Sequence, residues 1–319
     1  MKRLSAAVIA VAATAALVGC GSSSSGPTSA TSGAGTTTAG QLPVVTGAVG
    51  KAPKVTLPSA TPGPYSATVL KAGTGATVAK GDLLVANYLG ETWRDGKVFD
   101  QSYRRGAPVS FPIGVGQVIP GWDEGLVGKK VGSRVLLVLP PDKGYGSSGN
   151  AQAGIRPDDT LVFVVDVVGS YGAKSAADGA KVAPVAGLPT VASGSDGKPV
   201  ITMPKGVPAP TKLVVQPLLL GSGPAVKKGQ TLIAQYVGAI YGSGKQFDAS
   251  WDRGQPATFP IGVGRVIPGW DKALVGQKAG SRVLLVIPPA DGYGSGGNPQ
   301  AGIGGKDTLV FVVDVLGAT

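Results

Sequence analysis

"FPIGVGQVIPGWDEGLVGKKVGSRVLLVLPPDKGYGSSGNAQAGIRPDDTLVFVVDVVG" occupies residues 111–169, and "FPIGVGRVIPGWDKALVGQKAGSRVLLVIPPADGYGSGGNPQAGIGGKDTLVFVVDVLG" occupies residues 259–317 of the same chain. The two blocks are identical at 45 of 59 positions, align without a gap, and lie 148 residues apart. The match continues upstream, pairing Phe99-Asp100 with Phe247-Asp248 and Tyr88 with Tyr236. A period this long exceeds the roughly 20–50 residues of stacked solenoid repeats, so the duplicated unit is a whole domain. The chain's 319 residues suit two such domains with connecting segments.

Strand signals dominate each unit. "LLVANYLGETW" and "TLIAQYVGAIY" are apolar, with β-branched and aromatic members. "RVLLVLP" and "RVLLVIP" read as short buried strands that stop at Pro, and "TLVFVVDVV" and "TLVFVVDVL" as central strands. "YSATVLKAG" and "KLVVQPLLLGSG" add one strand each. Only "GWDEGLVGKK" and "GWDKALVGQK" carry helical spacing, and both are short. The expected fold class is α+β, with two domains, each a curved antiparallel sheet of about five strands wrapped on one short α-helix.

Composition narrows the chemistry. There is no His, and the single Cys is Cys20. Cys-His nucleophiles, Ser-His-Asp triads, thiolate zinc sites and internal disulfides are therefore excluded. The formal charge is +11, but no five like charges run together and no basic stripe is interleaved with aromatics. Nucleic-acid binding is not expected. Gly114-Val115-Gly116 fails as a phosphate loop: a dinucleotide fingerprint needs Gly where Ile119 stands, and a Walker loop needs Lys where Trp122 stands.

The N-terminus reads as an address. Lys2 and Arg3 precede an apolar run from Leu4 to Val18, shorter than the about 20 residues of a membrane span. "LVGC", Leu17–Cys20, resembles a bacterial lipobox, which implies a signal peptide over 1–19 and a diacylglyceryl group on Cys20. Residues 20–62 are rich in Ser, Thr, Gly and Pro and are expected to form a disordered tether. The first domain is expected over 63–171, an Ala/Gly/Pro linker over 172–206, and the second domain over 207–319. The expected location is the extracytoplasmic face of a bacterial cell membrane.

The remaining candidates for chemistry are aromatic and apolar. "FDQS" and "FDAS", "VIPGWD" twice, "YG" after "PP", and "TLVFVVDV" twice make each repeat resemble the FKBP-type peptidyl-prolyl cis-trans isomerases, over about two thirds of the chain. The resemblance implies a pocket of Tyr88, Phe99, Asp100, Arg105, Phe111, Val118, Ile119, Trp122, Tyr145, Ile155 and Phe163 in the first repeat. In the second it implies Tyr236, Phe247, Asp248, Arg253, Phe259, Val266, Ile267, Trp270, Tyr293, Ile303 and Phe311. It further implies that the Trp forms the pocket floor, and that the loop Tyr and the Ile amide bond ligand carbonyls. A wall Phe of the family is replaced by Val109 and Ala257, and its acidic rim residue by Gln117 and Arg265. The implied activity is Xaa-Pro isomerisation during folding of exported proteins, without cofactor or metal. Implied partners are proline-containing polypeptides, macrolides such as tacrolimus, and the membrane through Cys20, with the chain acting as a monomer. The alternative reading is a non-catalytic chaperone or binding module that uses the same pockets.

Overall fold

The computed structural model describes residues 41–194 and 196–319. The chain begins with a hairpin of β1 (Val44–Thr46) and β2 (Lys54–Thr56). Then come β3 (Ser66–Lys71), β4 (Leu83–Thr92), β5 (Val98–Gln101), β6 (Val109–Pro112), α1 (Pro120–Leu126), β7 (Arg134–Leu139) and β8 (Leu161–Tyr171). These strands form one antiparallel sheet in the order β3-β7-β8-β4-β5, with β6 also pairing β4. The sheet thus has six strands rather than five, because the edge beside β4 is shared between β5 and β6.

The second half repeats the plan. A two-residue strand β9 (Ala180–Lys181) and a hairpin of β10 (Thr190–Ser193) and β11 (Pro199–Thr202) precede β12 (Val214–Leu220), β13 (Thr231–Ile240), β14 (Gln246–Ala249) and β15 (Ala257–Pro260). Then come α2 (Pro268–Leu274), β16 (Arg282–Ile287) and β17 (Leu309–Ala318). The sheet order is β14-β13-β17-β16-β12-β9, with β15 pairing β13.

Each helix is only about two turns long, for reasons visible in its ends. Pro120 sits at N1, where its fixed φ suits a helix start and its missing N–H costs nothing. Val127 has returned to extended backbone, and Gly128 follows at φ +82°. Helix α1 lies very close to β7: a Cβ on Gly121 would come within 2.3 Å of Leu139. The inner face of the sheet, including Leu84, Val135, Leu137, Val165 and Leu126 of the helix, closes over this contact.

The outer face is also covered. Trp93, Leu136, Val138, Val162 and Val164 form a second buried cluster, and Val45, Val55 and Leu57 of the hairpin segment pack on it. In the second domain Val191, Ile201 and Met203 pack in the same way on Tyr241, Leu284, Val286, Val310 and Val312. Residues 44–57 and 190–203 therefore correct the tether expected over 20–62 and the linker expected over 172–206. Their strands are too short to show periodicity, and each offers only one or two apolar side chains, which have value only against a sheet already present. The hairpins are themselves part of the duplication: "LPVV" and "KVTLP" at 42–45 and 54–58 correspond to "LPTV" and "VITMP" at 188–191 and 200–204. Burial on both faces explains why β4, β7 and β8 are continuous apolar runs instead of alternating ones. Leu83 and Val85 of the first domain meet Ile233 of the second, with Tyr171 and Leu316 beside them. The signal peptide and lipidation expected at residues 1–20 lie outside the described residues.

One group is out of place on the outer face. Glu91 is 5% exposed, and its Oε1 has no partner among the described residues. Burial pushes its carboxyl up from 4.5 to about 7. A raised folded-state pKa means that the stability present below pH 4.5 is lost as the pH climbs through 7. Glu91→Gln is expected to leave thermal stability of the first domain unchanged at pH 4 and to raise it at pH 8, by on the order of 1–3 kcal/mol. The second domain, with Ala239 at this place, provides the control transition in the same melting curve.

Candidate functional site

The hexapeptide "VIPGWD" assembles the site. Ile119 caps α1 in extended backbone, Pro120 starts the helix, and Gly121 allows the close approach to β7. That approach drives Trp122, 4% exposed, into the concave side of the sheet. Its ring meets Tyr88, Phe111 and Phe163 edge to face, all with centroids 5.3 Å away. Phe99 stands against Phe163 at 5.5 Å. Edge-to-face packing aligns positive ring edges with negative ring faces and holds each plane in a fixed direction. The indole N–H of Trp122 has no hydrogen-bond partner among the described residues, and neither does that of Trp270.

Asp123 completes the motif. Its carboxylate accepts the N–H groups of Gly114 at 2.6 Å and Gly116 at 2.7 Å. Both glycines have positive φ, +78° and +75°, which turns their amides inward. The Gly-Val-Gly segment is thus a clamp on the helix start, its amides already taken by a carboxylate. Asp271 holds Gly262 and Gly264 in the same way, both at 2.6 Å.

A polar triad closes one side of the pocket. The Tyr88 hydroxyl donates to Asp100. Arg105 donates through Nη1 to Asp100 at 2.6 Å and through Nη2 to the Tyr88 oxygen at 2.8 Å. Burial, reinforced by the Asp100 carboxylate, pushes the Tyr88 phenol well above its ordinary range, so it remains a donor. In the second domain Arg253 bonds Asp248 at 2.5 Å and the Tyr236 oxygen at 2.7 Å, and burial pushes the Tyr236 phenol up to about 12. A depression of about 180 Å³ opens beside Phe99, Asp100 and Arg105. A larger cleft of about 560 Å³, among Pro204, Tyr241 and Asp307, contains none of the aromatic cluster.

The glycine-rich loop supplies the last wall. Asn150 and Ile155 pair by two backbone bonds of 2.8 and 2.9 Å, and the Asn150 carboxamide accepts the Ala153 amide. This clamp presents Ile155, 3% exposed, to the core, with Tyr145 packed against the same cluster.

Of the first repeat's candidates, Tyr88, Ile119, Trp122, Ile155 and Phe163 lie in one buried cluster, and Phe99, Phe111, Val118 and Tyr145 pack on it. Asp100 and Arg105 join through Tyr88. In the second repeat Tyr236, Trp270, Ile303 and Phe311 are clustered, with Phe247, Phe259, Val266 and Ile267 against them. Asp248 and Arg253 again join through the tyrosine. Trp270 meets Tyr236, Phe259 and Phe311 at 5.4, 4.9 and 5.3 Å. Tyr293 is the more open member, 39% exposed. Val109 and Ala257 pack on their cores where the family's wall Phe is absent, and Gln117 and Arg265 are exposed.

Sequence reasoning missed several residues. A Cβ on Gly90 would come within 2.6 Å of Phe163 and 2.8 Å of Phe99, so only Gly lets those rings meet; Gly238 does the same for Phe247 and Phe311. Ser102 and Ser250 are buried and accept the backbone amides of Tyr88 and Tyr236. Their sign in the sequence was their recurrence at the repeat offset, within "FDQS" and "FDAS".

The FKBP-type peptidyl-prolyl cis-trans isomerase family matches residues 75–168 and again 223–316. The FK506-binding protein of Streptomyces anulatus is 41% identical over 119 residues, which is 37% of this chain and 95% of that protein. The peptidyl-prolyl cis-trans isomerase FKBP10 of Homo sapiens is 34% identical over 220 residues, 69% of this chain and 31% of that protein. The three FKBP domains of wheat FKBP73 align with 80% of this chain and 94% of that structure, at 22% identity and a TM-score of 0.34. With two matched segments, each folded around the same aromatic cluster, the chain belongs to the FKBP-type peptidyl-prolyl cis-trans isomerases and carries two such domains in tandem.

Proposed function

We propose that this isomerase acts on exported polypeptides as they fold, and that a lipid on Cys20 holds it at the outer face of the cell membrane. The setting rests on the sequence of Met1–Cys20, with its charged start, short apolar run and terminal "LVGC". Two acyl chains on one sulfur meet the requirement for stable anchoring.

The chemistry needs no nucleophile. Rotation about a peptide C–N bond meets a barrier of roughly 18–20 kcal/mol, and Xaa-Pro bonds exchange over tens to hundreds of seconds. The planar amide owes its stiffness to charge-separated resonance, which water favours and the twisted form has lost. A pocket floored by Trp122 and walled by Phe99 and Phe163 withdraws that solvent from a seated proline ring. The Tyr145 hydroxyl and the Ile119 amide receive the flanking carbonyls and favour the twisted conformer. A hundred-thousandfold acceleration requires about 7 kcal/mol. The observation that carries this reading is the aromatic box around Trp122, closed on one side by the Tyr88–Asp100–Arg105 triad.

A second reading, a site that holds unfolded chain without turning it over, is favoured only in the second domain. There Ala257 shortens one wall and Tyr293 is 39% exposed. Macrolides such as tacrolimus fit the same apolar box, with the missing wall Phe weakening their contact. The proposed acting unit is one chain.

Exchange spectroscopy on an Xaa-Pro peptide tests the catalytic part. In the full chain, Phe99→Ala with Tyr145→Phe is expected to lower the first domain's kcat/KM at least about tenfold, a loss of ~1.4 kcal/mol. Phe247→Ala with Tyr293→Phe is expected to remove the smaller, second contribution. A wild-type chain that does not accelerate exchange overturns the reading. Cys20→Ala is expected to move the protein from the membrane fraction to the soluble fraction of expressing bacteria; retention on the membrane contradicts the lipid anchor.

A further inference from the structure

Arg134 of β7 and Asp166 of β8 lie directly opposite each other on the outer face of the first sheet. Their side chains are 3% and 2% exposed. The guanidinium holds the carboxylate bidentately, Nε to Oδ1 at 2.6 Å and Nη2 to Oδ2 at 2.7 Å. A buried pair of this kind is favourable only when its remaining hydrogen-bonding capacity is used. Here two separate pieces of chain use it.

On one side is the turn of the β1–β2 hairpin. Arg134 donates to the carbonyls of Gly47, Ala48 and Lys51 at 2.7, 3.0 and 2.9 Å, and the Gly50 amide donates to Asp166 at 2.6 Å. On the other side is Tyr103, whose hydroxyl donates to Asp166 at 2.8 Å. Tyr103 opens the single 3-10 turn Tyr103–Arg105, which has no buried residue of its own. Arg105, at the end of that turn, holds Asp100 and Tyr88 at the pocket.

The second domain is an internal contrast. Trp251 stands where Tyr103 does, and its indole N–H is buried without a partner among the described residues. Asp314 there receives the Ala177 amide at 2.8 Å instead, and Arg282 bonds only Asp314 among the described residues. Ser102 and Ser250 pin the start of both turns equally. The tyrosine bridge is present in the first domain alone.

We propose that Tyr103 is a positioning residue for the first isomerase site: anchored on the Arg134–Asp166 pair, it holds the 103–105 turn so that Arg105 stays on Asp100 and Tyr88. The hairpin at 44–56, which precedes the matched segment 75–168, is part of that support because it keeps the ion pair dry and saturated. This inference rests on the isomerase reading of the same pocket.

The test uses the full chain with the second pocket silenced by Phe247→Ala and Tyr293→Phe, assayed by exchange on an Xaa-Pro peptide. Tyr103→Phe keeps the ring and removes one charge-assisted bond. It is expected to lower kcat/KM about three- to tenfold. The effect should vanish in an Arg105→Ala background, because Tyr103 acts through Arg105. In Tyr103→Phe with Arg105 intact, the Arg105 Nε–Hε resonance should shift and broaden. With the first pocket silenced instead, Trp251→Phe should leave the second site's rate unchanged. An unchanged kcat/KM in Tyr103→Phe overturns the proposal, as does an equal fall with and without Arg105. A melting temperature that drops while rate and resonance stay fixed assigns Tyr103 a structural role only and also overturns it. A parent with no exchange activity fails differently, since it contradicts the isomerase reading itself.

Discussion

The packing of one indole against three aromatic edges is the contact on which each domain depends. Trp122 is the centre of the inner core, and in the proposed function it is also the floor of the site. It reaches that place because Gly121, with no side chain of its own, lets a seven-residue helix pack directly on the Leu139 side chain of β7. A helix so short has little stability of its own. Pro at its start, Asp123 on the loop before it and the buried indole hold it in place. Moving the helix outward would therefore break up the aromatic cluster and open the core together.

Charges are kept to the margins of this apolar centre, and each is committed. Asp123 takes two loop amides, Asp100 takes a tyrosine and an arginine, and Asp166 takes an arginine, an amide and a tyrosine. Carboxylates used this way order backbone and neighbouring side chains rather than transfer protons. That is consistent with a reaction whose barrier is a rotation. Glu91 is the contrary case: buried, with Oε1 unpartnered among the described residues and its carboxyl pushed up to about 7, it is a local cost that the second domain avoids with Ala239.

The two domains keep the pocket and diverge around it. Trp93 and Arg94, which bond Ala60 and Asp159 in the first domain, correspond to Tyr241 and Gly242 in the second, where a cleft of about 560 Å³ opens. Tyr103 corresponds to Trp251, and the packed Tyr145 to the exposed Tyr293. All of these lie at the rim or on the outer face. The differences therefore lie around the site, while the aromatic cluster about Trp122 and Trp270 stays the same.

Much of this was legible in one dimension. The duplication, the strand-rich pattern and the lone short helix follow from residue type and spacing. The absence of His and the single Cys exclude most enzyme chemistries by composition alone. The resemblance of "FDQS", "VIPGWD" and "TLVFVVDV" to the FKBP-type isomerases implied the pocket residues. What the tertiary structure alone decided was which distant groups meet. The hairpins looked like tether and linker because each strand is three or four residues long, with its apolar members too few to show a period. Their energy comes from a sheet far along the chain; Gly50 and Asp166, for instance, are 116 residues apart. The glycines that admit Phe163 and Leu139, and the bridge from Tyr103 to Arg105, are likewise properties of close approach in space. Residue identity fixes what a side chain can do, and only folding fixes what stands beside it.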